Sequence, residues 1–509
     1  LPGIAGILVF AFLRKQGYFD AKSGINHNKS KGIFVDNKKF IQDNFTRDEL
    51  KIKGGNNNRL TDTMLMEVFH NVDQYDAKSM YPSVCKLLKF PIYEPVGFGY
   101  QRITASKLLE NLEEYDWFTL TVSFEFPKDS PTIKRQFIQH QNGKTHCYRK
   151  VNHQILRPPE LELIVDEHPD IEIKVHKGWI WDRNELEDLI EKGKLSGKPD
   201  DYYLDLSELF GTLMNERKKH KEDGNFLLEI AIKLLMNVAS YGKFAQCKEV
   251  PDSEALEETM LNYGDSSSIA NNAVSESVVT HPEFANAITA CARCLNGLIA
   301  KEHDAKLSVT DSVLTANNTS INLNNCKKGF KWLDKLVEGS KYENETDDNT
   351  YLAIICGKRG KTLIPQNEEL VGLLKNLDNQ EKLDRAKSIV TDLAQQMEEK
   401  IIKVPKFAKD GIKYEGNQAR QWEQCSHDCL DRLYGKTLKK TIKHLLKRNE
   451  VLKGSHYKMV NMAIHKPRVL DCVDFGSYPF DDFEQHVQME NTKQKLKGAD
   501  RPKTDGKGN

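Results

Sequence analysis

The sequence predicts an α+β fold, on three observations. Phe118, Leu120, Val122, Phe124 and Phe126 alternate with mostly polar neighbours, the period of a half-buried strand, and Ile171, Ile173 and Val175 repeat the pattern. Residues 206–244 switch to helical spacing and are divided by the polar run Glu222-Asp223-Gly224-Asn225, as the two helices of a hairpin would be. Lys306 to Ala316 is strand-like again, with a tight polar centre.

The other elements follow in order. At 509 residues the chain can bury a sizeable core and is expected to form two or three subdomains. Leu1 to Leu13 is almost wholly apolar and is followed by Arg14 and Lys15. It is too short for a membrane span and lacks the basic start of a signal peptide, so it reads as a core element of a chain cut from something longer. Residues 20–60 are polar and read as loops with short strands. Gln74 to Pro82 reads as a strand followed by a turn. Pro158-Pro159 and Pro169 punctuate the strand-like segments. Residues 247–282 are acidic and rich in Ser and Asn, the composition of a protruding loop or β-hairpin. Ile288 to Ala300 reads as helix, 380–450 as mostly helical and charged, and the last twenty or so residues as disordered. No internal repeat is visible, and no later apolar run reaches transmembrane length, so no membrane partner is expected.

The charge is balanced, 74 basic against 74 acidic residues, and gives no sign of a nucleic-acid partner by itself. Its distribution is more informative: from Asp431 to Asn509 there are 17 Lys and Arg against 10 Asp and Glu. Such a segment can sit on phosphates without the whole protein being basic. The ten cysteines are scattered, which excludes a disulfide scaffold and suits a reducing compartment. Cys291 and Cys294 lie in an Ala-rich stretch, and Cys425 and Cys429 flank His427. Neither pair has a second pair at zinc-finger spacing, so both read as buried or incidental thiols.

Two segments carry candidate chemistry. In Tyr75-Asp76-Ala77-Lys78-Ser79-Met80-Tyr81-Pro82-Ser83, Asp76 ends a strand and a turn follows. In Leu307-Ser308-Val309-Thr310-Asp311-Ser312-Val313-Leu314, Asp311 sits at a turn between two short apolar runs. Phosphoryl transfer needs positioned phosphates and divalent cations, and two carboxylates brought together from distant segments can bridge such a metal pair. Mg²⁺ takes oxygen ligands and keeps waters. Taken singly, an aspartate at a strand end is more often a turn or cap residue than a functional one.

The set of segments resembles family B DNA polymerases, in the family's order. The Asp76 segment resembles motif A, Asp-x-x-Ser-Leu-Tyr-Pro. Lys233-Leu234-Leu235-Met236-Asn237-Val238-Ala239-Ser240-Tyr241-Gly242 resembles motif B, Lys-x-x-x-Asn-Ser-x-Tyr-Gly. The Asp311 segment resembles motif C, Asp-Thr-Asp-Ser. Ile52-Lys53-Gly54-Gly55 resembles Tyr-x-Gly-Gly, and Ile288 to Arg293 resembles the Ile-Thr-Ala-x-Ala-Arg helix before motif C. The long segments between A and B and between B and C are similar to the two insertions of the protein-primed subgroup of bacteriophages, linear plasmids and self-synthesising transposons.

The resemblance implies a right-hand polymerase with an antiparallel-sheet palm, helical-hairpin fingers, a small thumb and two insertions. Residues 1–60 are then a remnant linker from a missing exonuclease domain, since no Asp-x-Glu precedes residue 50. Palm with motif A takes 61–95, palm and first insertion 96–205, fingers 206–246, second insertion 247–282, palm with motif C 283–375, a thumb-like region 376–485 and a disordered basic tail 486–509. Asp76 and Asp311 match the metal-ligating aspartates, with the carbonyl of Ala77 completing one shell; the ions implied are two Mg²⁺, with Mn²⁺ as substitute. Tyr81 matches the aromatic that excludes a ribose 2′-hydroxyl. Lys233 and Lys221 match triphosphate lysines, with Arg217 on the helix face of Lys221 and Ser79 in the motif A turn. Asn237 and Tyr241 follow Lys233 at steps of four, on one face, toward the incoming base pair and template. Gly54, Gly55, Gly242, Thr310 and Tyr351 fall at template or primer positions. Lys436 and Lys440, in a run of basic residues beside Tyr434-Gly435, suit phosphate contacts from the thumb-like region. The partners implied are primer-template DNA, deoxynucleoside triphosphates and a terminal protein, in the cytoplasm of a host cell, or the nucleus or mitochondrion of a eukaryotic one.

The sequence departs from the family at four places. Val309 replaces the first motif C aspartate. Motif B is one residue longer between Asn237 and Tyr241. Ile52 replaces an aromatic, and Asn349 stands where a lysine precedes Tyr351, with Lys341 the substitute on offer. An inactive relative that binds DNA or terminal protein is therefore the second reading. A primase or reverse transcriptase is the third, and the lysine-bearing hairpin and the absence of paired aspartates after Tyr-x argue against it.

Overall fold

Strands and helices succeed one another as the residue pattern demands, and each registered strand pair is antiparallel. The computed structural model describes residues 2–18, 33–55, 57–60, 67–128, 130, 139–141, 144–146, 148–245, 247–249, 274–276, 279–316, 319–346, 351–355, 361–365 and 367–375, with parts of 381–389 and 481–488. The chain divides into two compact units. One takes residues 1–55, 77–298 and 323–341; the other takes 56–76, 299–322 and 342 onward. Among the described residues no helix is long and apolar enough to cross a membrane.

The first unit is built on a five-stranded sheet. Its order is Val96–Phe98, Glu172–Trp181, Trp117–Glu125, Lys150–Leu156, with Gln101–Thr104 also paired to Glu172–Trp181. The expected alternation in Trp117–Glu125 is present: Phe118, Leu120, Val122 and Phe124 enter one apolar cluster, covered by helices Ala105–Leu112 and Pro158–Glu167. The strand is not half-buried, however. Thr119 and Thr121 on its other face are buried too, because their hydroxyls donate to Glu283 (3.1 Å) and Glu49 (2.9 Å). A buried hydroxyl with a partner costs little, so polar residues here do not mark a solvent face. Gly178 lets its strand approach closely: a Cβ there would stand 2.2 Å from Leu120 Cδ2.

Residues 33–50, expected as loops with short strands, are instead helices Ile33–Asn44 and Arg47–Leu50. The buried face of Ile33–Asn44 is Phe34, Asn37 and Ile41. Asn37 interrupts the apolar period but is satisfied, donating to Tyr93 O (3.1 Å) and lying 3.0 Å from His281 Nε2. The N-terminal run forms helix Pro2–Lys15, which buries Ala5, Val9 and Leu13 at helical spacing.

This unit contains a buried ionic network. Arg157 donates two bonds to Glu283, Nε to Oε1 at 2.8 Å and Nη2 to Oε2 at 2.6 Å. Arg293 Nη2 donates to Glu160 Oε1 at 3.0 Å, and Arg157 N donates to Glu160 Oε2 at 3.1 Å. All four side chains are buried. Glu283 and Arg293 share helix Pro282–Glu302 with Asn286, Thr289 and Asn296, a buried polar stripe on a largely apolar helix. Charges withdrawn from water this far hold only when paired and hydrogen-bonded.

The second unit is a seven-stranded sheet. Its order is Asn57–Arg59, Leu307–Val309, Ser312–Thr315, Glu67–Ala77, Tyr351–Ile355, Lys361–Pro365, with Tyr342–Asn344 also against Glu67–Ala77. Val72, Leu307, Leu314, Ala316 and Ala353 form its apolar cluster. Of residues 247–282, strands Cys247–Glu249 and Val274–Glu276 pair as hairpin arms, and residues 250–273 between them lie outside the described residues. So do most of 380–450 and the C-terminal tail.

Breaking the buried network on one side leaves an uncompensated charge. Arg157→Met is therefore expected to lower the free energy of unfolding by about 3–5 kcal/mol in urea titration, and the double variant Arg157→Met/Glu283→Met by less. Equal losses in the two would contradict the pairing.

Candidate functional site

Asp76 lies near the end of the long strand Glu67–Ala77, whose Cα partners on the neighbouring strand are Asp73↔Thr315, Gln74↔Leu314, Tyr75↔Val313 and Asp76↔Ser312. That neighbour is one arm of a hairpin, paired in turn as Leu307↔Leu314 and Val309↔Ser312. Thr310 and Asp311 are the turn between the arms. Asp311 is thus bonded to the residue that stands opposite Asp76. With opposed Cα atoms about 5 Å apart and successive ones 3.8 Å apart, the two aspartate Cα atoms lie within about 9 Å of each other. Residues over two hundred positions apart in the chain are thereby neighbours in one sheet.

The turn is strained. Thr310 has φ +55°, a left-handed conformation that is an outlier for a β-branched residue. Ser312 Oγ braces it by donating to Val309 O at 3.1 Å. Val309 packs against the apolar cluster with Leu307. The strand's other acid in this stretch, Asp73, is committed: it accepts from Asn344 Nδ2 and Thr346 Oγ1, both at 3.1 Å. Tyr351 pairs with Val72 on the same strand and packs on the cluster, beside a register shift between Tyr351 and Ala353.

Among the described residues no group of three or more His, Cys, Asp or Glu side chains could hold a metal. What the sheet offers is two aspartates whose backbone positions are close. Aspartates are oxygen donors of the kind that hard divalent ions take.

In the first unit the expected helical hairpin is present as Ser207–Glu222 and Phe226–Asn237, joined through Gly224 at φ +70°. Lys221 and Lys233 are exposed on its two helices. Arg217 is part-buried and engaged. Its Nε and Nη2 donate to Glu229 Oε1 at 2.9 and 2.7 Å, and its Nη1 donates to Ser79 Oγ at 2.9 Å. Ser79 has φ +51° and precedes helix Met80–Leu87. The ring of Tyr81 lies 4.6 Å from that of Tyr241, tilted by 49°.

Asn237, Tyr241 and Lys233 do not share one uninterrupted face as expected. The helix ends at Asn237 and passes into a π-turn, Val238–Gly242, with Ser240 at ψ −128°. A π-turn takes one residue more than an α-turn, so the chain between Asn237 and Tyr241 is wound more loosely there. Lys233 and Asn237 keep the four-residue spacing, and Tyr241 is turned toward Tyr81. Gly242 is not sterically required within the chain: a Cβ would meet only Asn237 O, at 3.9 Å.

The Lys53-Gly54-Gly55 segment is tied to the Arg293 helix. Arg293 Nη1 donates to the carbonyls of Lys53 and of Gly54, the latter at 3.3 Å, and Lys53 N donates to Asn286 Oδ1 at 3.1 Å. Two segments singled out separately in the sequence therefore meet through one guanidinium. Lys53 Nζ is buried and donates to Gln154 Oε1 at 3.2 Å. Arg157 and Arg293 already balance Glu160 and Glu283, so a Lys53 ammonium would be a surplus charge. Burial pushes its pKa down to about 7. Cys291 and Cys294 are buried free thiols on the same helix, and burial pushes Cys291 up to about 12, the opposite of a reactive or metal-ready thiol. Glu229, Glu160, Arg157 and Glu283 were missed by sequence reasoning. The signal for Glu283 was the three- and four-residue spacing of polar residues on an Ala-rich helix; Glu229 gave none. Lys436, Lys440, Cys425, His427 and Cys429 lie outside the described residues.

No protein-family model matches the sequence, and no curated protein matches it. Solved structures of Phi29 DNA polymerase are similar to this chain. The polymerase complexed with single-stranded DNA aligns at 16% identity and TM-score 0.38, over 70% of this chain and 57% of that one. The ternary complex with primer-template DNA and incoming nucleotide aligns at 14% identity and TM-score 0.38, over 70% and 59%. The post-translocation binary complex aligns at 15% identity and the same TM-score, over 70% and 58%. The chain thus spans somewhat over half the length of these solved chains. At this similarity function is left to be argued from the residues.

Two measurements check the local physics. Thr310→Asn, which accepts a left-handed backbone more readily, is expected to raise stability by about 1 kcal/mol in thermal melts; a loss would mean that the threonine side chain outweighs its strain. For Lys53 the unfolded value is the ordinary 10.5 and the folded value about 7. Between these the unfolded chain holds the extra proton, so stability rises with pH from about 7 to 10.5. Lys53→Met should flatten that rise, and an unchanged slope would contradict the assignment.

Proposed function

We propose that this chain is the polymerase part of a protein-primed family B DNA polymerase. In this reading it adds deoxynucleoside monophosphates to a primer 3′-hydroxyl or a terminal-protein hydroxyl. The observation that carries it is the pairing of Asp76 with Ser312, which sets the turn of the second motif beside the end of the first. The motif order in the sequence adds the rest.

Asp76 and Asp311, with the carbonyl of Ala77, would hold divalent ions, Mg²⁺ or Mn²⁺. When bound, such ions neutralise charge at the attacking and leaving oxygens. The chain's own residues bind and orient. Lys221 and Lys233 supply mobile point charges to the triphosphate, and Asn237 faces the incoming base pair. Tyr81, its ring packed against Tyr241, excludes a ribose 2′-hydroxyl by bulk. Gly54, Gly55, Tyr241, Gly242, Thr310 and Tyr351 contact template or primer, and Lys436 and Lys440 contact backbone phosphates. The setting is replication of a linear viral or mobile element, in the cytoplasm of the host cell, or in the nucleus or mitochondrion of a eukaryotic one.

The second reading, an inactive relative that binds DNA or terminal protein, is favoured by one observation: Val309 packs on apolar side chains where an acid would stand. Primer extension with four deoxynucleotides and Mg²⁺ or Mn²⁺ separates the two. Extension is expected, and Asp76→Ala or Asp311→Ala should reduce it at least about hundredfold. Extension that survives Asp311→Ala overturns the site. No extension by the unmutated chain leaves the inactive relative.

A further inference from the structure

The guanidinium of Arg217 links three elements of the first unit. Two of its nitrogens meet one oxygen of Glu229 across the helical hairpin, and the third meets Ser79 Oγ at the turn before helix Met80–Leu87. Both side chains of the ion pair are largely shielded from water, with 17% of Arg217 and 12% of Glu229 exposed. A shielded pair with fixed fork geometry holds position far better than a surface pair. Glu229 is also one of only two buried residues of its helix, the other being Met236.

Ser79 makes this more than a helix-to-helix tie. It sits at φ +51°, ψ +49°, costly for a residue other than glycine, and it caps its helix without a side-chain bond to that helix. Its hydroxyl accepts from Arg217 instead. Ser79 O in turn accepts from Ser83 N at 2.9 Å, in the first turn of the helix that carries Tyr81. The chain of contacts runs Glu229, Arg217, Ser79, then the helix of Tyr81.

We propose that Glu229 is a positioning residue: it holds Arg217 as a strut between the helical hairpin and the Ser79 turn, so that Arg217 acts on the nucleotide through this turn and not by gripping the triphosphate. The inference rests on the polymerase reading. It reverses the role that the position of Arg217 on the face of Lys221 suggests, because a guanidinium committed to a carboxylate and a hydroxyl is not a ready phosphate ligand.

The two roles predict opposite signs in the 509-residue chain. If Arg217 is a strut, Glu229→Gln loosens it: KM for the deoxynucleotide rises about tenfold and kcat stays within about twofold. Arg217→Lys, which keeps the charge and loses the fork, does the same, and the double variant is no worse than the poorer single one. If Arg217 grips the triphosphate, Glu229→Gln frees it and KM falls; a KM that falls or stays unchanged overturns the proposal. Hydrogen exchange of the Ser83 amide gives a readout that needs no activity. It should quicken in both single variants, and unchanged exchange in Glu229→Gln overturns the strut. An unmutated chain that does not extend primers defeats the polymerase reading, while the exchange result still decides the strut.

Discussion

The candidate catalytic pair hangs on one register, Ser312 opposite Asp76. A strand has period two, so a slip of one residue would turn every side chain of Ser312–Thr315 to the other face. Two features forbid it. Leu307, Leu314 and Val72 must all reach the same apolar cluster, and the turn has room for only Thr310 and Asp311. The strained φ of Thr310 is the local cost of turning so tightly. The apolar packing lower in the sheet thus fixes where the backbones of Asp76 and Asp311 stand at its end. That is also why Val309 is intelligible: it shares the row of Ser312 and Asp76 and extends the apolar cluster toward them.

The first unit depends on a different device, charge placed where sequence periodicity expects none. Arg293 spans from Glu160 to the carbonyls of Lys53 and Gly54, so the glycine segment is positioned by a buried guanidinium and not by its own conformation. A Cβ at Gly54 would meet nothing within 4 Å. The Arg217 tie to Glu229 and Ser79 repeats the logic on a smaller scale. In both places a planar fork of donors fixes an irregular backbone segment that has no regular ladder to hold it.

Much of this was legible in the residues. The helical hairpin was visible from its spacing and its polar break at Glu222 to Asn225, and the strand at Phe118 to Phe126 from its alternation. The hairpin at Asp311 was visible because two apolar runs flank a short polar centre. Helix Ile33–Asn44 was not legible, since Asn37 occupies its buried stripe and is satisfied only by Tyr93 and His281, distant in sequence. The second face of Trp117–Glu125 was hidden for the same reason: threonines read as solvent-facing until Glu283 and Glu49 are found against them. The π-turn at Val238–Gly242 was not legible, since nothing in the local pattern distinguishes it from a continued α-helix. Local pattern gives the elements; partners far along the chain decide which polar residues are inside.

The central claim is that Asp76 and Asp311 serve one divalent-ion site. Mn²⁺ binding followed by electron paramagnetic resonance, with primer-template and nucleotide present, tests it most directly. Tight Mn²⁺ binding is expected in the unmutated chain, with its loss in Asp76→Asn and in Asp311→Asn alike. Binding that survives either substitution unchanged would contradict it.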